Sequence, residues 1–88
     1  MAPLTLEEIQ HDQVVQSVAR VLILANEAAV ARGIDPAACL VTINEEPSTE
    51  HVWRIHYGPR DYIGRRGGDL IVLVDEQSGT VQQVLRGQ

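Results

Sequence analysis

Gly67-Gly68-Asp69-Leu70-Ile71-Val72-Leu73-Val74-Asp75-Glu76-Gln77-Ser78-Gly79-Thr80-Val81-Gln82-Gln83-Val84-Leu85-Arg86 reads as one β-hairpin. Leu70 to Val74 is an unbroken apolar run of leucine and β-branched residues, with breakers on both sides. A run this short, so bounded, predicts a strand buried on both faces. Gly79 stands where the turn needs a residue at positive φ, which glycine supplies without steric cost. Val81, Gln83 and Leu85 alternate with Gln82, Val84 and Arg86, so the second arm is less apolar and reads as an edge strand. The first arm then requires a neighbour on its other side and cover on at least one face.

The chain upstream supplies both. Thr5-Leu6-Glu7-Glu8 has the form of a capping box, in which Thr5 accepts from the Glu8 amide and Glu8 reaches back. Glu7, Glu8 and Asp12 suit the positive end of a helix dipole. Val14, Val18, Val21, Ala25 and Ala28 recur at helical spacing, broadened by Val15, Leu22 and Ala29. Gly33 is placed to end the helix, Ile34 to make the accompanying apolar contact, and Asp35-Pro36 forbids continuation. The pattern predicts one long N-terminal helix over about residues 6–32, roughly 40 Å at ~1.5 Å per residue. Its weak point is His11-Asp12, where the apolar stripe thins.

Cys39 to Glu45 and His51 to Tyr57 alternate as strands, with Trp53, Ile55 and Tyr57 facing the core. The strands fall over 39–45, 51–57, 69–75 and 80–86, and the short links at 46–50 and 76–79 favour sequential antiparallel pairing, with 58–68 the longest connection. The expected fold class is α+β: one helix packed on a four-stranded antiparallel meander sheet, with 1–88 a single domain. The face away from the helix would carry Leu40, Val52, His56 and either Ile71 with Leu73 or Val72 with Val74. That is apolar enough to suggest homodimerisation or partner binding there.

Eighty-eight residues leave little room for a deep catalytic cleft. Net charge is −5, and all seven bases are arginine. An acidic chain is a poor nucleic-acid binder and a better match for a basic partner. No apolar stretch approaches the ~20 residues of a membrane span, so no membrane is expected. The N-terminus lacks a basic signal-like segment, and the single cysteine, Cys39, excludes an internal disulfide. Both favour a cytoplasmic location.

The remaining motifs offer no chemistry. His51 and His56 fall on opposite strand faces, so with His11 they make no metal site. Cys39 lacks an accompanying oxyanion-hole motif. Gly64-Arg65-Arg66-Gly67-Gly68 leads into a strand, so no helix N-terminus backs a phosphate there. Asp69 and Asp75 lie ~20 Å apart at ~3.3 Å per residue, too far for paired-carboxylate catalysis. The chain is expected not to be an enzyme and to need no cofactor.

Meander topology sorts the charges. The turns at 45–50 and 75–79 share one end of the sheet with the helix N-terminus. That end gathers Glu7, Glu8, Asp12, Glu45, Glu46, Glu50, Asp75 and Glu76 and is expected to hold no arginine. Arg32, Arg60, Arg65, Arg66 and Arg86 gather at the other.

Trp53-x-Ile55-x-Tyr57, then Gly67-Gly68-x-Leu70-x-Val72-x-Val74-Asp75-x-x-Ser78-Gly79-x-Val81, closing on Arg86-Gly87-Gln88, resembles small bacterial immunity proteins of polymorphic toxin systems. The nearest are those with a nuclear-transport-factor-two-like fold, and the pattern is also similar to PepSY-type domains. The resemblance covers about 40 of 88 residues, and its most specific part is the Gly-Gly entry with the Asp-x-x-Ser-Gly hairpin. It implies a cytoplasmic unit that binds a cognate toxin domain and occludes its active site. The alternative is a PepSY-like regulatory or protein-binding module without a toxin partner. A full cone-shaped fold needs more helices than this chain holds, which favours the smaller PepSY-like unit. The expected partner contacts are Glu45, Glu46, Glu50, Asp75 and Glu76, with Arg60, Tyr62, Arg65 and Arg66 of the 58–68 loop as second choice.

Overall fold

An interrupted helix precedes four antiparallel strands. The computed structural model describes residues 5–47, 51–59 and 69–86. The elements are α1 (Leu6–His11), α2 (Gln13–Ala31), a 3-10 turn (Pro36–Ala38), β1 (Cys39–Glu45), β2 (Val52–Pro59), β3 (Leu70–Asp75) and β4 (Thr80–Arg86). The strands form one sheet in the order β1-β2-β3-β4. This is the expected α+β meander.

Local chemistry sets the helix ends. Thr5 Oγ1 accepts from the Glu8 amide at 3.1 Å, and Glu8 reaches back to the Thr5 amide at 3.5 Å, completing the capping box. The helix predicted over 6–32 divides at Asp12, which leaves helical geometry (φ −94, ψ 116). Its carboxylate accepts from the Val15 amide at 3.0 Å and so starts α2 afresh. The Gln16 side-chain amide donates to the Gln10 carbonyl, engaging an acceptor that the break releases. At the far end the Ile34 and Gly33 amides donate to the Ala29 and Val30 carbonyls, both at 3.0 Å. Gly33 takes φ 80 there, the left-handed conformation that this closure demands.

The core lies between α2 and one face of the sheet. Val21, Ala25 and Ala29 of α2 are fully buried against Ile55, Tyr57, Leu70, Val72 and Val74, with Trp53 nearly so. Small residues at 25 and 29 let the helix approach closely. Cross-strand pairing lines up Ile43, Ile55, Val72 and Val84 as one row, and Val41, Tyr57, Leu70 and Arg86 as the next. The Tyr57 hydroxyl donates to Asn26 Oδ1 at 2.6 Å, and burial pushes its pKa up to about 12.

Three expectations are corrected in detail. β2 begins at Val52 because His51 sits at φ 66, outside strand geometry. It runs on through Gly58 and Pro59, which pair with Leu40 and Cys39. β4 does not alternate evenly. Val74 pairs with Val81 but Leu73 with Gln83, so Gln82 is an extra residue and Val81 and Val84 both oppose core-facing partners. β3 is fully buried on one face only, not on both: Val72 and Val74 point to the core, while Ile71 and Leu73 point away from it and are half-buried.

α2 lies over β2, β3 and β4 and leaves β1 largely uncovered. Gln13–Ala31 is also long and apolar enough by composition to cross a membrane, with a mean hydropathy of 1.5. A search for unbroken apolar runs misses this, because glutamines and Arg20 interrupt the stretch. Only Val21, Ala25 and Ala29 of its 19 residues are fully enclosed by the fold.

Candidate binding surface

The antiparallel order brings Glu45, Glu46, Asp75 and Glu76 to one end of the sheet. Glu45 pairs with Trp53, Val52 pairs with Asp75, and the Glu46 amide donates to the Val52 carbonyl at 2.9 Å. Glu46 and Asp75 therefore flank Val52 in adjacent strands, about 10 Å apart at ~4.8 Å per strand. Glu45 is exposed and Glu46 half-buried. Asp75 is partly committed inward, since its carboxylate accepts from the Gln77 and Ser78 amides at 2.9 and 3.2 Å and so shapes the turn. The Gly79 amide closes that turn on the Asp75 carbonyl with Gly79 at φ 69, as the hairpin motif requires.

Glu76 joins the layers. Its carboxylate accepts from Ser17 Oγ of α2 at 2.5 Å and from Trp53 Nε1 of β2 at 2.9 Å, while its amide donates to the His51 carbonyl at 2.7 Å. The Ser17 and Trp53 hydrogen bonds, with smaller help from His51 and Arg20, hold its carboxyl below the ordinary glutamate value of 4.5. It is charged at neutral pH and bolts helix to sheet at the acidic end. The end is not free of arginine, as the meander alone suggested. Arg20 reaches over the hairpin turn, its guanidinium 3.4 Å from where a Cβ on Gly79 would stand. Gln13, Gln16, Ser17, Arg20 and Glu76 together line a polar notch there. At the opposite end Arg86 donates to the Arg32 carbonyl at 3.1 Å, placing both cations as expected.

Glu50, Arg60, Tyr62, Arg65 and Arg66 lie outside the described residues. Sequence reasoning missed Ser17, Trp53 and Arg20 as neighbours of Glu76, since no spacing marks contacts 59 or 23 positions apart. It also missed a pair on the outer sheet face, where His56 Nε2 stands 3.0 Å from Asp69 Oδ2. Both side chains there are about 30% exposed. Among the described residues no group of three or more His, Cys, Asp or Glu side chains could hold a metal ion.

An apolar surface also stands open beside β1. Leu22, Asn26 and Val30 of α2, Pro36 and Ala37 of the 3-10 turn, and Val41 and Ile43 of β1 line a groove of roughly 600 Å³. It exists because α2 is displaced toward β3 and β4. Comparison of the chain with known protein families, with curated proteins and with solved structures finds no match.

Proposed function

We propose that this protein is a binding module that docks the acidic end of its sheet onto a basic partner. In its most specific form it is an immunity protein occluding the active site of a cognate toxin domain. The reading is supported above all by the gathering of Glu45, Glu46, Asp75 and Glu76 from β1, β3 and their adjoining turns at one end. Glu76 and Asp75 are held by hydrogen bonds to their own fold, so the docking charge sits on a rigid frame. Glu45 and Glu46 are the adjustable contacts. Such a surface speeds encounter with a positively charged cleft and excludes like-charged competitors.

The test is association with the toxin product of the adjacent reading frame, followed by stopped flow across a range of salt. The double reversal Glu45→Arg/Glu46→Arg is expected to slow association about tenfold or more at low salt and to flatten its salt dependence. Unchanged kinetics in the double variant, or failure of the native chain to bind that product, would overturn the proposal.

A further inference from the structure

The two edges of the sheet differ in a way that points to a second copy of this chain. β4 is shielded: α2 packs over it, it carries the bulge at Gln82, and it ends in Arg86. Bulges and edge cations are the ordinary means of blocking strand addition. β1 has neither. All seven of its residues pair with β2 in unbroken register, and its one charge, Glu45, is at its end.

Backbone parity gives the open edge a definite register. The Glu46 amide donates to the Val52 carbonyl. In antiparallel pairing the two polar backbone groups of a residue point the same way, and the direction alternates along the strand. Leu40, Thr42 and Asn44 therefore turn theirs toward β2, whereas Cys39, Val41, Ile43 and Glu45 turn theirs outward. We infer that β1 pairs with β1 of a second copy, antiparallel across a two-fold axis at Thr42, to form one continuous sheet.

In that register Val41 faces Ile43 of the other copy and Cys39 faces Glu45. The outward N–H groups of Val41, Ile43 and Glu45 then meet outward carbonyls, the Cys39 N–H being held by the Pro36 carbonyl of its own chain, and the two Thr42 residues form the close, non-hydrogen-bonded central pair. The pairing also keeps faces matched. Val41 and Ile43 of both copies share the helix side and Leu40 and Asn44 the outer side. The Glu45 carboxylates lie at opposite ends of the paired strands, so they do not repel one another, and the acidic ends point away from each other.

The flank of the edge is apolar. Val30 and Val41 line the open groove, and Val30 is 61% exposed, Val41 39% and Leu40 42%. The two-fold brings these flanks of α2 and β1 toward their counterparts.

The full chain is expected to sediment at twice its 9.7 kDa mass at micromolar concentration. Val41→Pro removes an outward N–H without touching the β1–β2 bonds, a position where an edge strand accepts proline. It should raise the dimer dissociation constant at least a hundredfold with an unchanged circular dichroism spectrum. In a Cys39→Ser background, Thr42→Cys should form a covalent dimer under mild oxidation, because a non-hydrogen-bonded pair holds Cα atoms ~4.5 Å apart, within disulfide range. A native chain that stays monomeric, a Val41→Pro dimer as tight as the native one, or a Thr42→Cys chain that does not cross-link would each overturn the inference. So would sedimentation as a dimer only in the presence of detergent, which would assign the exposed apolar residues of α2 to a membrane.

Discussion

β1 and β4 are both edge strands of seven residues, and their sequences are about equally apolar, yet α2 packs over only one of them. β4 receives the helix, and the bulge lets Val81 as well as Val84 oppose a core-facing partner. Burial alone does not separate the two: Ile43 and Val84 are both half-buried against the core, and Val41 and Val81 are 39% and 37% exposed. Position under a single helix, more than composition or burial, distinguishes the edges. One 19-residue helix, about 10 Å across with its side chains, cannot cover four strands spaced ~4.8 Å apart. Displacement toward one edge leaves the other, among the described residues, without helix cover.

The row Ile43-Ile55-Val72-Val84 runs from one edge to the other and gives a direct way to break this comparison. Ile55→Ala, at its fully buried centre, is expected to cost about 3 kcal/mol or more, read from the denaturant midpoint. A loss under about 1 kcal/mol would show that the two edges do not share one core.

Glu76→Gln tests the bolt between α2 and the hairpin that launches β4. Losing the charge that Ser17 and Trp53 donate to is expected to cost about 1 kcal/mol at neutral pH, reduced from a buried pair's value because the group is largely solvated. The carboxyl's folded pKa is depressed, so its contribution is complete above the ordinary value of 4.5 and is lost as pH falls through the lower folded value. Thermal melts between neutral and acidic pH should therefore show a shallower acid limb in the variant. Identical acid limbs would remove Glu76 from the account.

The smallest effect sharpens the contrast most. Val84→Ala on β4 is expected to cost about 1 kcal/mol, and Ile43→Ala on β1 about half of that or less, both in a Val41→Pro background, where β1 is kept single. Equal losses at Val84 and Ile43 in chemical denaturation would mean that α2 covers both edges alike.

Much of this was legible residue by residue. The Thr5/Glu8 box, the stops at Gly33 and Gly79 and the buried face of β2 depend on neighbours within a few positions, and such interactions are written locally. The break at Asp12 was visible as a thin place in the stripe, but its completeness came from the carboxylate's bond to Val15. Four of the five acidic candidates meet at one end because the short links after β1 and β3 make hairpins whose turns lie together once β2 and β3 pair antiparallel.

What the chain's order of residues determined by itself was a set of elements, their caps, their buried faces and their sequence in the sheet. Each follows from steric preference and from apolar periodicity acting over a few residues. The tertiary structure alone decided the lateral seat of α2, the extra residue at Gln82, the anchoring of Glu76 by Ser17 and Trp53, and which edge was left open. Those depend on how one helix divides its contact among four strands, a competition between distant surfaces that no local pattern records.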